Sequence, residues 1–303
     1  SLTFEPGIVY GLLGPNGAGK TTIIRVLTTL ITAEGGTAKV FGHDVVKEAN
    51  TVRSRIGLAG QYAAVDEFQT GRENVEMVAT HSTHRTAEAK RRSTEVLEAI
   101  GLTDAADRQV KTYSGGMRRR LDLAASMVGR PDLLFLDEPT TGIDPASRIG
   151  LWEIIEGLVE GGTTVLLTTQ YLDEADRLAD RIGVIDHGRL IAEGTDSELK
   201  KQVGGEVVET RVRPENLEKA TKAICAISHH DATVEGNTIT VQADEGAMTL
   251  AEIIRALDEI DVHPADIGVR RPTLDDVFLT LTGKKAEDET PEPAASGRGR
   301  RRA

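Results

Sequence analysis

The strongest constraint on this chain is a glycine-rich stretch that directly follows a short apolar run. Residues 8–13 are apolar and predict a buried strand, and residues 20–32 predict a helix. The loop between them, from Gly14 to Thr21, fits the pattern G-x-x-x-x-G-K-[ST] in full. Glycines let successive backbone N–H groups converge on one anion, and the helix adds the positive end of its dipole. A strand, this loop and a helix in that order predict a phosphate-binding loop, the alternative being a structural glycine-rich turn.

Two side chains at the end of the loop carry specific chemistry. Lys20 supplies a positive charge to the β- and γ-phosphates of a nucleotide, and the Thr21 hydroxyl is placed to ligate Mg²⁺. The residues of this segment predicted to bind the nucleotide are Gly14, Pro15, Asn16, Gly17, Ala18, Gly19, Lys20, Thr21 and Thr22.

A second apolar run, Leu133 to Leu136, ends in the acidic pair Asp137 and Glu138. Asp137 is positioned to hold Mg²⁺, directly or through water, and Glu138 to orient and activate an attacking water. An acidic pair after a strand is often only a solvated strand end. Together with an upstream phosphate-binding loop, it predicts nucleotide hydrolysis.

The segment Ser114-Gly115-Gly116-Met117 predicts a second helix terminus able to bind phosphate. Serine is a favoured N-cap, and the glycines expose backbone donors. The alternative is an ordinary capped helix. Because one nucleotide has a single γ-phosphate, two such termini in one chain indicate that two copies face each other and complete each other's sites.

Short apolar strands alternate with helical patterns along the first two thirds of the chain, which predicts an α/β domain with a largely parallel sheet. We place this domain at residues 1–204. Residues 205–282 follow a different order, β-α-β-β-α-β, which predicts a small ferredoxin-like α+β domain. Thr273 and Asp276 form a capping box for a terminal helix. Residues 283–303 lack apolar periodicity and are predicted to be a disordered tail.

Composition excludes several classes of function. The 303 residues carry a net charge of −12, which argues against a nucleic-acid partner. The single cysteine, Cys225, cannot form an intrachain disulfide. No apolar run approaches the roughly 18 residues that span a bilayer. Any work at a membrane would require a partner to bring the chain there.

Taken together, these motifs resemble the nucleotide-binding domain of ABC transporters over roughly residues 7 to 200. The resemblance rests on Gly14–Thr21, Gln61, Ser114–Met117, Asp137-Glu138 and Thr141–Asp144, in that order. It implies a P-loop NTPase of the ABC cassette type with a helical subdomain, which binds ATP and Mg²⁺ and acts as a homodimer.

The resemblance also implies roles for residues outside the phosphate loop. Gln61 corresponds to the glutamine that senses Mg²⁺ and the transmembrane partner, and Asp144 falls at the D-loop aspartate. Ser114, Gly115, Gly116 and Met117 match the signature motif, with Tyr113 and Met117 as variants of its commonest letters. The metal set is therefore Thr21, Gln61 and Asp137, and the catalytic set is Glu138 and Gln170.

The segments 60–66, Thr141–Asp144 and Arg271–Phe278 are similar to a narrower group, the daunorubicin/doxorubicin resistance ATP-binding subunits. In that group the cassette and the polytopic membrane permease are separate chains. The resemblance implies an ATPase that powers export of a drug, an antibiotic or a similar small hydrophobic compound. It also implies peripheral attachment to the cytoplasmic face of the plasma membrane.

Two features depart from the family pattern. Gln170 stands where the family usually has a histidine that contacts the γ-phosphate; its amide can donate a hydrogen bond but carries no charge, so we expect retained but slower turnover. The family also usually begins with two further strands that include an aromatic side chain stacked on adenine. This chain begins at Ser1, shortly before the P-loop strand, so we expect a truncated or misassigned start.

Two other functions fit parts of the pattern. A soluble ABC ATPase of DNA repair or translation would carry a long coiled-coil insertion or a second P-loop, and the sequence has neither. A nucleotide-binding regulator without hydrolysis is suggested by Gln170 and the absent first strands, but the intact Glu138 argues against it.

Overall fold

A computed structural model describes residues 1–61, 63–83, 86–202, 205–228 and 232–282 of the chain. In chain order the strands are β1 (Val9–Leu13), β2 (Lys39–Val40), β3 (His43–Asp44), β4 (Ile56–Ala59), β5 (Leu133–Asp137), β6 (Thr164–Thr169), β7 (Arg181–Asp186), β8 (Arg189–Gly194), β9 (Glu206–Arg211), β10 (Thr233–Glu235), β11 (Thr238–Ala243) and β12 (Asp266–Arg270). The α-helices are α1 (Lys20–Leu27), α2 (Ala49–Arg53), α3 (Gly71–Thr83), α4 (Thr86–Ala99), α5 (Gly115–Met127), α6 (Pro145–Glu160), α7 (Leu172–Leu178), α8 (Asp196–Gln202), α9 (Leu217–Ser228), α10 (Gly246–Glu259) and α11 (Leu274–Thr282).

The chain forms two compact units. One unit is continuous and runs from Thr21 to Tyr171. Among the described residues, the other, discontinuous unit combines residues 1–20 with residues 172–282. The predicted tail at 283–303 lies outside the described residues.

The continuous unit is built on three parallel strands in the order β4, β5, β6. Every residue of β5 and of β6 is buried, as expected for parallel strands covered on both faces. Helices α3, α4 and α5 pack on one another and form the predicted helical subdomain. The prediction of an α/β architecture is confirmed.

Helix α1 ends earlier than the sequence suggested. The apolar pattern predicted a helix over residues 20–32, but the helix stops at Leu27 because the chain turns into the left-handed region at Thr29, with φ of 65°. The Leu30 N–H then donates to the Arg25 carbonyl at 2.9 Å and the Thr29 N–H to the Val26 carbonyl at 3.1 Å. This pair of bonds is a Schellman motif, which closes the helix with a threonine where glycine is usual.

In the discontinuous unit, β1 pairs parallel with β7, and β7 pairs antiparallel with β8. Strands β9 to β12 form a separate antiparallel sheet in the order β10, β11, β9, β12. Buried residues alternate with partly exposed ones along β11, so one face of this sheet packs under α9 and α10. Element order and strand order are both ferredoxin-like, as predicted.

The terminal helix α11 does not belong to the core of the ferredoxin-like sheet. Its buried side chains Leu274, Val277 and Phe278 share one apolar cluster with Leu13 of β1 and Val184 of β7. Its polar side is anchored differently, because Arg270 at the end of β12 donates to Asp276 at 2.6 and 3.0 Å. The sequence grouped this helix with residues 205–282; its packing favours a boundary near residue 270, and the division into domains stays a prediction.

Candidate functional site

The predicted phosphate loop leaves β1 and enters α1. Gly17 and Gly19 adopt φ values of 80° and 106°, which side chains rarely tolerate. The Lys20 ammonium folds over the loop and donates to the carbonyls of Gly14 at 2.7 Å and Pro15 at 3.2 Å. The first turn of α1 contains no acidic residue, so its positive end is uncompensated. The loop therefore presents one cation and a helix N-terminus at the same place.

The loop is fixed to the turn between β7 and β8. The Gly188 N–H donates to the Ala18 carbonyl at 2.9 Å. A Cβ on Gly14 would lie 2.3 Å from the carbonyl oxygen of Ile185, so no side chain fits there. Glycine at position 14 is thus required by the close approach of the two backbones.

Thr21 and Asp137 meet, as the sequence predicted. The Thr21 hydroxyl donates to Oδ1 of Asp137 at 3.1 Å, and the Thr168 hydroxyl donates to the same oxygen at 2.6 Å. Asp137 and Thr168 are almost fully buried. The carboxylate is therefore held at the carboxyl end of β5 by hydroxyls from α1 and from β6.

Hydroxyl and carboxylate oxygens are the ligands that Mg²⁺ prefers, usually alongside water and substrate phosphates. The Thr21 and Asp137 oxygens are neighbours directly after the phosphate loop, so the donor set fits this metal. Gln61, the third predicted ligand, lies two residues after β4 and is exposed. Within the described chain no hydrogen bond joins its side chain to Thr21 or Asp137.

Glu138 has an unusual backbone. Its φ of 47° is in the left-handed region, which non-glycine residues rarely adopt outside functional sites. Its N–H donates to the Thr168 carbonyl and hydroxyl, both at 3.1 Å, and its side chain is only 7% exposed. A constrained, largely buried carboxylate next to Asp137, the predicted metal ligand, suits general-base chemistry.

Gln170 follows β6 by one residue. Its Oε1 atom is buried and has no hydrogen-bond partner among the residues that the structure describes. A buried acceptor of this kind is usually satisfied by an ordered water in a folded protein. The catalytic role of Gln170 stays a prediction.

The signature segment is also built as predicted. Ser114 is the N-cap of α5, and its hydroxyl accepts from the Met117 N–H at 3.2 Å. Ser114 and Gly115 are exposed, whereas Gly116 is buried. The first turn of α5 contains no acidic residue, so this second helix terminus also favours an anion.

Asp144 caps the neighbouring helix α6. Its carboxylate accepts from the Ser147 N–H at 2.9 Å and hydroxyl at 2.6 Å, and these bonds lower the pKa of Asp144. A Cβ on Gly116 would lie 2.3 Å from the Ser147 hydroxyl oxygen. The signature segment and the Asp144 segment thus lie side by side within the continuous unit.

Sequence reasoning missed two residues. Thr168 bonds both to Asp137 and to Glu138, and Arg119 of α5 is a buried arginine that donates to the Asp137 carbonyl at 3.1 Å. The sequence feature that could have identified Thr168 is its position at the end of a buried strand. The feature that could have identified Arg119 is a charged residue on the helix that begins after Ser114.

A phosphate loop between a strand and a helix, together with two buried carboxylates at the end of another strand, is typical of one class of protein. This class is the P-loop proteins that hydrolyse nucleotides. The ABC transporter family profile matches residues 1–141. The daunorubicin/doxorubicin resistance ATP-binding protein DrrA of Streptomyces peucetius is 52% identical over 301 residues, covering 97% of this chain and 90% of that protein. The linearmycin resistance ATP-binding protein LnrL of Bacillus subtilis is 36% identical over 294 residues, covering 95% of this chain and 94% of that one.

A solved ATP-binding subunit of an ABC transporter superposes with a TM-score of 0.59 at 26% identity, covering 66% of this chain and 84% of that structure. This chain therefore belongs to the ATP-binding proteins of ABC transporters. It binds ATP and is an ATPase. Within the described residues, no helix is both long enough and apolar enough to cross a membrane.

Proposed function

We propose that this chain powers the export of a drug, an antibiotic or a similar small hydrophobic compound through a permease encoded as a separate chain. The observation that carries the proposal is the similarity, over nearly the whole chain, to a daunorubicin/doxorubicin resistance ATP-binding protein. The linearmycin resistance relative extends the compound class beyond anthracyclines. Attachment to the permease would hold the chain at the cytoplasmic face of the plasma membrane.

The site residues divide the work of hydrolysis. The N–H groups of the 14–19 loop and the charge of Lys20 bind the ATP phosphates. Thr21, Asp137 and Gln61 would hold Mg²⁺, which neutralises phosphate charge when bound. Glu138 accepts a proton from the attacking water, and Gln170 positions the same water or the γ-phosphate through its amide.

We further propose that two copies of this chain form the working unit. The exposed N-terminus of α5 at Ser114 and the capped loop at Asp144 are adjacent. In a dimer they would face the nucleotide bound by the P-loop of the partner copy. This arrangement gives the second anion-binding helix terminus a function.

Transport measurements on the host of this chain test the export role. In inverted membrane vesicles from that host, doxorubicin uptake is expected to require ATP and to vanish when the gene is deleted. Wild-type protein should restore uptake, and Glu138→Gln should not. If several hydrophobic antibiotics accumulate equally in deletion and wild-type vesicles while the purified chain hydrolyses ATP, the export role is wrong.

A further inference from the structure

Helix α5 carries a buried arginine that touches the backbone on both sides of Glu138. Arg119 donates from Nε to the Pro139 carbonyl at 2.7 Å and from Nη2 to the Asp137 carbonyl at 3.1 Å. These two carbonyls belong to the residues immediately before and after Glu138. The guanidinium therefore spans the peptide segment that sets the position of this carboxylate.

The same guanidinium reaches the segment that contains Gln61. Its Nη1 atom donates to the Gly60 carbonyl. Asp122, one helical turn further along α5, accepts from Arg119 at 3.3 Å and from the Ala64 N–H at 2.9 Å. The backbone is thus fastened to α5 both before and after Gln61.

A third contact extends this attachment along the same segment. Arg118 donates to Glu67 at 2.7 Å and to the Lys111 carbonyl at 3.3 Å. Arg118 and Asp122 are four residues apart on α5, so they lie on one side of the helix. One helix face therefore holds the segment from Gly60 to Glu67.

Arginine is the side chain suited to this arrangement. Its planar guanidinium has five donors in a fixed geometry, whereas a lysine ammonium is a single point on a flexible stem. Only the guanidinium can bind three carbonyls from two segments at fixed positions. Glu138 needs such fixing, because its left-handed backbone persists only where the surroundings determine it.

We propose that Arg119 is a positioning residue for ATP hydrolysis, which joins the backbone on both sides of Glu138 to the Gln61 segment. The proposal rests on the proposed role of Glu138 as the general base. It makes the placement of the catalytic carboxylate depend on the placement of the Gln61 segment. Movement of that segment would then change turnover without any change in the phosphate loop.

The test is Arg119→Lys in the full chain, which keeps a positive charge beside buried Asp122 but loses the planar geometry. A misplaced catalytic group costs up to about 100-fold, so kcat is expected to fall roughly 10- to 100-fold. Affinity for ATP, measured by calorimetry under conditions that block hydrolysis, should stay within about 2-fold of wild type. A structural defect would instead lower kcat, affinity and thermal stability together.

The matched control is Arg92 of α4, which contacts the C-terminal end of α5. Arg92 also binds two backbone carbonyls, those of Met127 at 2.9 Å and Val128 at 3.1 Å. Met127 lies eight residues after Arg119 on this helix, which is about 12 Å along its axis. Arg92→Lys is therefore expected to change stability as Arg119→Lys does while leaving kcat unaltered.

The outcomes separate the two proposals. Wild-type kcat in Arg119→Lys overturns the positioning role, and activity in Glu138→Gln overturns the general base on which it rests. If Arg119→Lys does not fold, the double variant Arg119→Gln/Asp122→Asn removes both charges together and should show the same loss of kcat. Failure of both variants to fold assigns Arg119 to stability alone and also overturns the positioning role.

Discussion

Glu138 combines three properties that a solvated acidic side chain does not have. It is buried, its backbone is in the left-handed region, and its N–H is held by both oxygens of Thr168. Each property limits where the carboxylate can move. A group constrained in this way loses little freedom when it engages water, which favours proton transfer at a defined position.

Glu138→Gln should therefore separate binding from hydrolysis. Glutamine has the same shape but cannot take a proton, so hydrolysis is expected to fall roughly 10²- to 10⁴-fold while ATP affinity is retained. With hydrolysis blocked, ATP should hold two copies together as a dimer on size exclusion. Substantial turnover in this variant would mean that another group activates the water.

The sequence predicted those site residues that stand in short linear motifs. Thr21, Asp137 and Ser114 each follow a recognisable local pattern, and the structure gives them the expected contacts. Thr168 and Arg119 escaped prediction because their contacts depend on which strands and helices become neighbours. The register that pairs Asp137 with Thr168 across β5 and β6 cannot be read from either strand alone.

Helices α5 and α6 approach each other closely at Gly116. A Cβ on Gly116 would lie 2.3 Å from the hydroxyl oxygen and 2.5 Å from the Cβ of Ser147. A Cβ on Gly115 would meet nothing closer than 4.0 Å. Two adjacent glycines of one motif therefore have different structural roles.

Gly116→Ala is expected to destabilise the protein by about 1–3 kcal/mol through overpacking. Gly115→Ala should be neutral or slightly stabilising, because alanine favours helix. Urea denaturation of both variants measures the difference. Adding Ser147→Gly to Gly116→Ala should recover part of the loss, whereas equal stability of the two alanine variants would show that the helices do not meet at Gly116.

The start of α11 depends on an ion cluster. Arg270 binds Glu209 at 2.7 Å and Asp276, while the Thr273 N–H donates to Asp276 at 2.7 Å. Burial alone would raise the pKa of Asp276, but the hydrogen bonds from Arg270 and Thr273 outweigh it and lower the pKa below the ordinary value. Asp276 therefore favours its charged form in the folded protein.

A lowered pKa stabilises the fold above the ordinary aspartate pKa of about 3.9 and loses that contribution as the pH falls through the folded value. Asp276→Asn is expected to cost about 2 kcal/mol at pH 7, as charged hydrogen bonds do. The difference from wild type should shrink below about pH 4 in unfolding experiments. The exposed Asp261→Asn variant is the control, and a constant difference across pH would contradict this role of Asp276.

Sequence periodicity located the elements well because amphipathic patterns are local. It failed at the end of α1, where Thr29 rather than a glycine turns the chain. It also could not show that Leu274, Val277 and Phe278 pack with Leu13 and Val184, since these three residues show only that one face of α11 is apolar. The partner of that face is set by long-range packing.

The proposed composite sites can be tested in dimers that combine two different variants. Ser114→Arg should block dimer closure, and Lys20→Ala should weaken phosphate binding, so each homodimer is expected to be inactive. In a mixed dimer, both substitutions fall in one composite site. The other composite site combines the intact Lys20 of the Ser114→Arg chain with the intact Ser114 of the Lys20→Ala chain. Mixing the two inactive variants should restore part of the ATPase activity.

Covalently tethered pairs guard against failure to mix. A linked dimer with Ser114→Arg in one half and Lys20→Ala in the other should hydrolyse ATP for the same reason. If that dimer is inactive while a linked dimer with both substitutions in one half hydrolyses ATP, each chain completes its own site and the trans arrangement is wrong.

The pairing of β1 with β7 has a consequence for biosynthesis. Val9 and Asp180, which bond beside these strands, are 171 residues apart. At translation rates of roughly 5–20 residues per second, the first strand waits about 10 to 30 seconds before its partner leaves the ribosome. The segment from Thr21 to Tyr171 is complete earlier. On the nascent chain, the apolar β1 is therefore made long before β7, and it must be shielded from aggregation until β7 is available.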